Sequence, residues 1–292
     1  MGNGTHPPVE GSREAGTKAQ AVEIRISDLA FTYPSGVEAL CGVSLQIAPG
    51  EQVAIVGQNG AGKTTLVKHL NGLLRPTSGT VSVGGWDTRE RSVAQLAALV
   101  GYVFQNPDDQ LFQSRVETEV MFGPKNLGWE AERAAARVRA ALEQVGLEAA
   151  ADRHPYDLSP GERKRVALAA VLAMETPVIV LDEPTTGQDF AGVRLVGEIV
   201  DRLKGRGKTV VTITHDIDFC AEHFERVVVM AEGRVLAEGP SRSVLAQAEV
   251  LAQTFVEPPQ LVRLARRLGM EAMPLTVEEF VEAWAASWSN LP

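Results

Sequence analysis

The segment Gly57-Gln58-Asn59-Gly60-Ala61-Gly62-Lys63-Thr64 carries the strongest structural signal in this chain. It matches the phosphate-binding pattern G-x-x-x-x-G-K-[ST] at every fixed position. The apolar run 52–56 before it is typical of a buried strand, and residues 65–70 after it favour a helix. Its glycines let the backbone curl so that N–H groups point inward at phosphate oxygens. The segment therefore predicts a nucleoside triphosphate site, where Lys63 reaches the β- and γ-phosphates and Thr64 ligates Mg2+.

A second motif ends an apolar run with two carboxylates. Residues 178–181 are all apolar and lead directly into Asp182 and Glu183. An aspartate that ends a buried strand after such a phosphate loop is typical of a Walker B strand, and it holds Mg2+ directly or through water. Glu183 is then placed to take a proton from the water that attacks the γ-phosphate. The pair predicts an enzyme that hydrolyses a nucleoside triphosphate.

A third motif, Leu158-Ser159-Pro160-Gly161-Glu162, lies between these two and precedes a run of helix-forming residues. A serine and a free N–H at a helix start can bind an anion, and a proline suits the first helical turn. With the other two motifs, this segment resembles the signature of the ATP-binding cassette family, Leu-Ser-Gly-Gly-Gln. Pro160 and Glu162 depart from that form. The resemblance implies an α/β fold, a P-loop NTPase cassette with a RecA-like core, an antiparallel β edge, a helical subdomain and a short helical C-terminal extension.

The resemblance also assigns further site residues. Tyr33 lies where the family stacks an aromatic ring on adenine, and Gln105 matches the glutamine that contacts Mg2+ and the attacking water. Asp189 matches the loop that crosses the interface between two cassettes, and His215 matches the histidine that senses the γ-phosphate. The predicted catalytic residues are Glu183, His215 and Gln105, and the predicted Mg2+ ligands are Thr64, Gln105 and Asp182. The residues predicted to bind ATP are Tyr33, Gly57, Gln58, Asn59, Gly60, Ala61, Gly62, Lys63, Thr64, Thr65, Ser159, Gly161, Glu162 and Asp189.

The signature implies a geometry that needs a second cassette. In the family, the signature helix of one cassette faces the phosphates held by the P-loop of another, so that two cassettes clamp two ATP molecules. The 292 residues contain one P-loop, one signature and one Walker B strand, without an internal repeat. We therefore expect a homodimer or a heterodimer with a similar cassette, which ATP closes and hydrolysis releases.

Composition narrows the class of protein. Apolar residues make up 45% of the chain, which with alternating strands and helices indicates a soluble α/β protein. No apolar run approaches the ~20 residues needed to span a bilayer, so a transport role would need membrane partners. The net charge of −9 argues against nucleic-acid partners. Cys41 and Cys220 are far apart and predict reduced thiols. We expect a peripheral protein on the cytoplasmic face of the cell membrane.

Three parts are expected along the chain. Residues 1–20 are polar and rich in Gly and Pro, which predicts a disordered tail. Residues 21–245 would form the ATPase domain, with its helical subdomain at about 106–175. Residues 246–292 would form the C-terminal helical extension, with Leu261, Leu264, Ala265 and Leu268 on one face of a first helix and a capping box at Thr276 before a second.

Two segments resemble one subfamily more than others. Residues 71–79 and 104–112 are similar to the corresponding parts of the cassettes of energy-coupling-factor transporters and of the related cobalt and nickel importers. In that group the second segment lies where the membrane subunit docks, so that Asp108 and Asp109 would face basic residues of a partner. The alternative is a solvated turn, since Asn-Pro-Asp-Asp is good turn chemistry. The C-terminal extension of that group helps to hold two ATPases together, and packing on its own cassette is the alternative.

The function implied is an ATP-binding subunit that hydrolyses ATP as a cassette dimer to power uptake of a vitamin or transition-metal ion. Its membrane partners would be a transmembrane scaffold subunit and a substrate-binding component of the energy-coupling-factor type. One alternative is a conventional importer ATPase for another solute. Another is a soluble cassette acting in DNA repair or translation, which the acidic composition and the single cassette disfavour. The sequence does not identify the transported solute.

Overall fold

The computed structural model describes residues 22–288, which form ten strands and eleven α-helices. The tail predicted to be disordered, residues 1–20, lies outside the described residues. The strands are β1 (Ile24–Thr32), β2 (Glu38–Ile47), β3 (Gln52–Val56), β4 (Ser78–Val83), β5 (Trp86–Asp87), β6 (Val100–Val103), β7 (Val178–Asp182), β8 (Thr209–Ile213), β9 (Arg226–Ala231) and β10 (Arg234–Pro240). The helices are α1 (Lys63–Lys68), α2 (Val93–Leu96), α3 (Val116–Asn126), α4 (Ala131–Gln144), α5 (Pro160–Ala173), α6 (Phe190–Gly205), α7 (Ile217–His223), α8 (Ser241–Leu245), α9 (Ala248–Ala252), α10 (Gln260–Arg267) and α11 (Val277–Trp288).

The strands form two sheets. The smaller sheet has the order β2-β1-β4-β5, and its neighbouring strands are antiparallel. The larger sheet has the order β10-β9-β3-β8-β7-β6, in which the five strands from β9 to β6 are parallel and β10 is antiparallel to β9. Every residue of β3, β7 and β8 is buried, as is typical of parallel strands covered on both faces. The predicted α/β class with an antiparallel edge is confirmed.

The larger sheet separates two apolar cores. Ala54 and Val56 point from β3 into a core shared with helices α3 to α7. Val53 and Ile55 point from the opposite face into a core shared with α1 and the smaller sheet. Successive side chains of a strand alternate between faces, so β3 is held from both sides. Each buried aliphatic side chain contributes about 1.5–3 kcal/mol, and the loop that follows β3 therefore starts from a rigid base.

The parallel strands bring distant parts of the chain to one edge. The glycine-rich segment 57–64 follows β3, and His215 lies two residues after the end of β8. Asp182 ends β7, and Gln105 lies two residues after β6. Because β3, β8, β7 and β6 are consecutive in the sheet, their carboxyl ends form one continuous edge. The carboxyl edge of such a sheet is where ligands bind in open α/β folds.

Helix α5 begins at a complete capping box. Ser159 Oγ accepts the N–H of Glu162 at 3.3 Å, and Glu162 Oε2 accepts the N–H of Ser159 at 2.8 Å. Pro160 occupies the first helical position, where its missing N–H costs no hydrogen bond. The helices α3, α4 and α5 all lie between β6 and β7 in the chain. The division of the chain into three domains stays a prediction.

The C-terminal helices differ in detail from the prediction. The buried residues of α10 are Val262 and Ala265, whereas Leu264 and Leu268 are exposed. The N–H of Gln260 donates to Asp218 Oδ1 at 2.9 Å, so α10 is docked on the start of α7. Only one of the two hydrogen bonds of the predicted capping box is present, from the Glu279 N–H to Thr276 Oγ1. The Glu279 carboxylate accepts the N–H of Leu275 instead of the N–H of Thr276. The first helix of the extension therefore packs on its own cassette.

No helix among residues 22–288 combines the length and the apolar character needed to cross a membrane.

Candidate active site

The phosphate loop adopts a backbone that requires glycine. Gly57, Gly60 and Gly62 have φ angles of +148°, +83° and +97°. A Cβ atom on Gly57 would lie 2.1 Å from the carbonyl oxygen of Met230, and one on Gly62 would lie 2.6 Å from that of Ala39. Both contacts are far below any van der Waals separation. The loop is thus packed against strand β9 at Met230 and against strand β2 at Ala39, and these contacts restrict its shape.

Lys63 is held inside the curl of this loop. Its side chain is almost fully buried, and Nζ donates to the carbonyl oxygens of Gly57 at 2.7 Å and Gln58 at 2.9 Å. Burial lowers the pKa of Lys63, although the nearby charges of Glu183 and Asp182 act in the opposite direction. The two carbonyl contacts keep the ammonium group at the base of the cleft, where the phosphates of a nucleotide would meet it.

Asp182 is the centre of a buried oxygen cluster. Thr64 Oγ1 lies 3.4 Å from Asp182 Oδ1, and the hydroxyl of Tyr102 donates to Asp182 Oδ2 at 2.8 Å. Burial raises the pKa of Asp182, and the hydrogen bonds from Tyr102 and Thr64 oppose that rise. Among residues 22–288, no three His, Cys, Asp or Glu side chains converge as a metal centre. The hydroxyl and carboxylate oxygens suit Mg2+, which takes few protein ligands and completes its shell with water and phosphate.

Replacing Tyr102 by phenylalanine is expected to lower the free energy of unfolding by about 1.5–3 kcal/mol, the range for a hydrogen bond to a charged group. The matched control is Tyr33→Phe, whose hydroxyl lies 2.9 Å from the neutral Thr65 Oγ1 and should be worth only about 0.5–1.5 kcal/mol. Urea denaturation of both variants at pH 7 gives the two values. An equal loss in the free energy of unfolding for both variants would show that the hydrogen bond from Tyr102 to Asp182 is no stronger than the neutral hydrogen bond of Tyr33.

Glu183 stands on a strained turn directly after β7. It is a non-glycine residue with φ +51°, a conformation that costs of order 1–3 kcal/mol and is concentrated at functional sites. Its side chain is 7% exposed, and Oε2 lies 2.8 Å from Nδ1 of the exposed His215. Thr186 Oγ1 lies 3.4 Å from the same carboxylate oxygen. This turn aims a buried carboxylate at the cleft with a histidine beside it, the arrangement of a general base and its partner.

Two adjoining cavities contain the predicted site. One, of about 340 Å³, is lined by the phosphate loop and by Tyr33, whose ring packs edge-on against Phe31. The other, of about 600 Å³, is lined by Gly57, Gln58 and His215 and by residues 255–258 and 260 of the C-terminal segment. Gln105, Asn59 and Glu183 line both cavities. The structure thus brings together the predicted catalytic residues and every predicted residue from Gly57 to Thr65. The contribution of the C-terminal segment to the wall of this cavity was not predicted.

The remaining predicted residues form a separate cluster. Ser159, Gly161, Glu162 and Asp189 line neither of these cavities. Ser159 and Glu162 cap each other at the start of α5, as described above. Asp189 caps α6, with Oδ1 accepting the N–H of Gly192 at 2.8 Å. The cluster lies at the neighbouring starts of α5 and α6, joined by a hydrogen bond of 3.1 Å from Gln188 Nε2 to the carbonyl oxygen of Gly161.

The loop after β6 is tied to its own cassette by an ion pair. The expectation that Asp108 faces basic residues of a partner stays a prediction, and within the chain its Oδ1 lies 3.2 Å from Nε of Arg163. Arg163 projects from the first turns of α5, four residues after Ser159. The charge of Asp108 is therefore already paired within the cassette, and it ties the loop to the start of α5.

A phosphate loop of this shape before a helix, with an aspartate at the end of a strand of the same sheet, is typical of the P-loop nucleoside triphosphatases. The capped helix α5 between the two motifs places the chain among the cassettes of that class. A family model described as ABC transporter matches residues 40–186. The energy-coupling factor transporter ATP-binding protein EcfA of Methanocaldococcus jannaschii is 40% identical over 248 residues, 84% of this chain and 89% of that protein. This chain belongs to the ABC transporter family.

Solved structures agree with this assignment. The cbiO1 protein of Clostridium perfringens, described as part of the ABC transporter complex cbiONQ, matches with a TM-score of 0.70 at 36% identity, over 84% of this chain and 98% of that one. The cassette MJ0796, solved as a dimer in a post-hydrolysis state with ADP and Pi, matches with a TM-score of 0.69 at 29% identity, over 75% and 99% of the two chains. The predicted cassette fold and the resemblance to energy-coupling-factor cassettes are confirmed.

The chain spans less than half of some curated relatives. It is 43% identical over 260 residues to a putative ABC transporter ATP-binding protein of Caldanaerobacter subterraneus, and it covers 45% of that protein.

Proposed function

We propose that this chain hydrolyses ATP as one member of a cassette dimer and thereby powers solute uptake through membrane partners of the energy-coupling-factor type. The phosphate loop and Lys63 would bind the triphosphate, and Tyr33 would support the adenine. Glu183 would accept a proton from the attacking water, with His215 and Gln105 beside it in the same cavities. Mg2+ held by Thr64, Asp182 and Gln105 would neutralise charge on the β- and γ-phosphates.

The separation of the signature residues supports a dimer. The capping box of Ser159 and Glu162 and the start of α6 at Asp189 lie outside the cavities that hold the phosphate loop. One cassette therefore leaves this cluster without a nucleotide of its own, whereas the signature of a second cassette would complete each site. The related cassette MJ0796 was solved as a dimer with ADP and Pi. The segment 255–260 in the cavity wall would then lie at the edge of the closing surfaces.

The observation that carries the transport proposal is an apolar groove of about 240 Å³ beside α3 and β6. Its exposed members include Leu73, Phe112 and Phe122, and the two phenylalanine rings meet edge-to-face at 4.8 Å. Both segments that resemble energy-coupling-factor cassettes, residues 71–79 and 104–112, contribute to this groove. Exposed apolar grooves of this kind receive amphipathic helices, so a helix of a membrane subunit is the occupant that we propose.

The groove is rigidly built for such a role. The carboxylate of Glu119 is buried and accepts the N–H groups of Phe112 at 2.8 Å and Gln113 at 2.7 Å. These charge-assisted bonds hold the exposed Phe112 ring in place. On the inner side, the backbone N–H of Phe104 donates to Gln110 Oε1 at 3.2 Å, next to Gln105. A helix in the groove would therefore contact the same loop that carries a predicted Mg2+ ligand.

The names of the relatives support the subfamily. EcfA is an energy-coupling factor transporter ATP-binding protein, and cbiO1 is part of a cbiONQ complex. By analogy the partners would be a transmembrane scaffold and a substrate-binding membrane component, the solute a vitamin or a transition-metal ion, and the location the cytoplasmic face of the membrane. A conventional importer for another solute is the second candidate, because it would use the same catalytic residues.

Phe112→Asp is expected to weaken binding of the membrane partner by at least about 30-fold, since a central aromatic anchor is worth 2 kcal/mol or more. The ATPase activity of the isolated cassette should stay intact, because Phe112 lies outside the cavities of the catalytic residues. The matched control is Leu236→Ser, an exposed apolar residue on β10 at the opposite edge of the larger sheet. The measurement is affinity purification of each tagged chain from detergent-solubilised native membranes, followed by mass spectrometry.

Each outcome of this purification discriminates among the candidates. A multi-spanning scaffold together with a compact substrate-binding protein, both lost in Phe112→Asp, would support the proposal. A pair of conventional permeases would replace it by the second candidate. Recovery of soluble proteins or nucleic acid alone would overturn the transport role. Equal recovery of membrane partners with Phe112→Asp and Leu236→Ser would remove the groove from that role.

A further inference from the structure

Lys164 is a buried cation that is not among the catalytic residues named above. It lies on α5 and is 5% exposed, although lysine is almost never buried without a partner. None of the ion pairs found among residues 22–288 contains it. Its Nζ instead donates to two backbone carbonyl oxygens, those of Glu183 and Thr186, the second at 3.0 Å. Both belong to the turn that carries the predicted base.

This turn needs an external support. Glu183 has φ +51°, and its N–H donates to the carbonyl oxygen of Ile213 at 2.8 Å on one side. On the other side, the ammonium group of Lys164 donates a hydrogen bond to the carbonyl oxygen of Glu183. A left-handed conformation of a non-glycine residue is strained and persists only where the surrounding structure holds it. The two hydrogen bonds from the charged donor of Lys164 oppose that strain.

The support comes from the helix that begins at the signature. Lys164 lies five residues after Ser159, about 7.5 Å along the axis of α5. A second bond runs in the opposite direction, from Gln188 Nε2 to the carbonyl oxygen of Gly161 at 3.1 Å. The turn after β7 and the first turns of α5 are therefore tied at two points. A shift of one would move the other.

We propose that Lys164 is a positioning residue that holds the Glu183 carboxylate in its working orientation and links it to the signature end of α5. Within one chain, Lys164 positions the predicted base. In the dimer of the proposed function, on which this second step rests, α5 faces the nucleotide of the partner cassette. The same lysine then couples occupation of one ATP site to the base of the other.

A double-mutant cycle of Lys164→Met and Glu183→Gln tests the positioning role. Methionine has a similar length but no donor, so Lys164→Met is expected to lower kcat at least 10-fold while KM for ATP changes less than 3-fold. Lys164→Gln, which retains an N–H donor, should recover part of the rate. In the Glu183→Gln background, Lys164→Met should reduce single-turnover hydrolysis less than 3-fold, because the carboxylate that it positions is already absent.

The chain contains a matched control for this cycle. Lys208 is also partly buried, and its Nζ donates at 2.6 Å to the carbonyl oxygen of Glu175, which has φ +52°. Lys208→Met removes the same kind of bond far from the cavities and should leave kcat unchanged. Two results would overturn the proposal and show that Lys164 is only a structural residue. One is an equal loss of rate in Lys164→Met and Lys208→Met. The other is that Lys164→Met lowers the rate by the same factor in the parent chain and in the Glu183→Gln variant.

The coupling step has its own readout, which needs no membrane partner. The dependence of the hydrolysis rate on ATP concentration is expected to be sigmoidal for the parent chain and closer to hyperbolic for Lys164→Met. Sedimentation with ATP reports the dimer separately. A dimer whose Hill coefficient is the same in both chains would overturn the coupling. A chain that stays monomeric would contradict the proposed dimer, while the double-mutant cycle would still decide the positioning role.

Discussion

Glu183→Gln is expected to lower the turnover of ATP by roughly 10²–10⁴-fold, the usual contribution of a positioned general base. The amide keeps the size of the side chain and cannot accept a proton from water. ATP binding should be retained, because Lys63 and the phosphate loop are unchanged, and the variant should accumulate as a closed dimer with bound ATP. Steady-state hydrolysis and binding of a fluorescent ATP analogue provide the two measurements.

The control for this variant is Glu232→Gln. Glu232 is another glutamate with a positive φ, +49°, but it is exposed and lies in the turn between β9 and β10. Its replacement should change turnover less than 2-fold. The carboxylate of Glu183, by contrast, is buried and lies 2.8 Å from His215. Near-normal hydrolysis by Glu183→Gln would remove Glu183 from the role of base and leave the cleft without an assigned proton acceptor.

Gly57→Ala is expected to lower the free energy of unfolding by about 3 kcal/mol or more and to abolish nucleotide binding. The new Cβ would lie 2.1 Å from the carbonyl oxygen of Met230. Met230 belongs to β9, which pairs with β3, so the clash is with rigid backbone that cannot rotate away. Overpacking of a rigid site costs typically 1–3 kcal/mol, and the unfavourable φ of +148° adds to it. Relief requires that the phosphate loop move away from β9.

Gly60→Ala separates the clash from the backbone strain. Gly60 lies in the same loop with φ +83°, and a Cβ there would meet no atom within 4 Å. The loss of stability should be about 1–2 kcal/mol, from the left-handed conformation alone. Urea denaturation followed by circular dichroism, with binding of a fluorescent ATP analogue, compares the two variants. Equal loss of stability in both would mean that the packing of the loop against β9 does not determine its shape.

Local motifs carried most of the prediction. The Walker B strand was predicted at 178–182, and the structure has β7 over Val178–Asp182. The strand predicted at 52–56 is β3, Gln52–Val56. Such elements depend on neighbours in the chain, through the run of apolar residues or their helical spacing. Strand β1 continues past the polar residues Ser27 and Asp28 to Thr32, because its pairing with β2 and β4 extends it.

The residues that were missed depend on contacts between distant segments. Tyr102 looks like an ordinary aromatic residue of a buried strand, and its bond to Asp182 exists only because β6 lies beside β7. Lys164 looks like one more charge in the run Arg163-Lys164-Arg165, and nothing in its spacing predicts that it is buried. Of the residues placed on one face of α10 by their spacing, Ala265 is buried, but Leu264 and Leu268 are exposed, and the docking of α10 on α7 buries Val262 instead.

The amino-acid sequence alone determined the family of this protein, because a P-loop, a Walker B carboxylate and a capped signature helix are each encoded within a few consecutive residues. Their joint geometry was decided only by tertiary structure. The order β3-β8-β7-β6 sets which loops meet at the edge of the sheet. That order also places the turn of Glu183 on the ammonium group of Lys164 and packs the phosphate loop against Met230. The physical reason is that sheet order and helix docking minimise the energy of the whole core, to which each motif contributes only a few side chains.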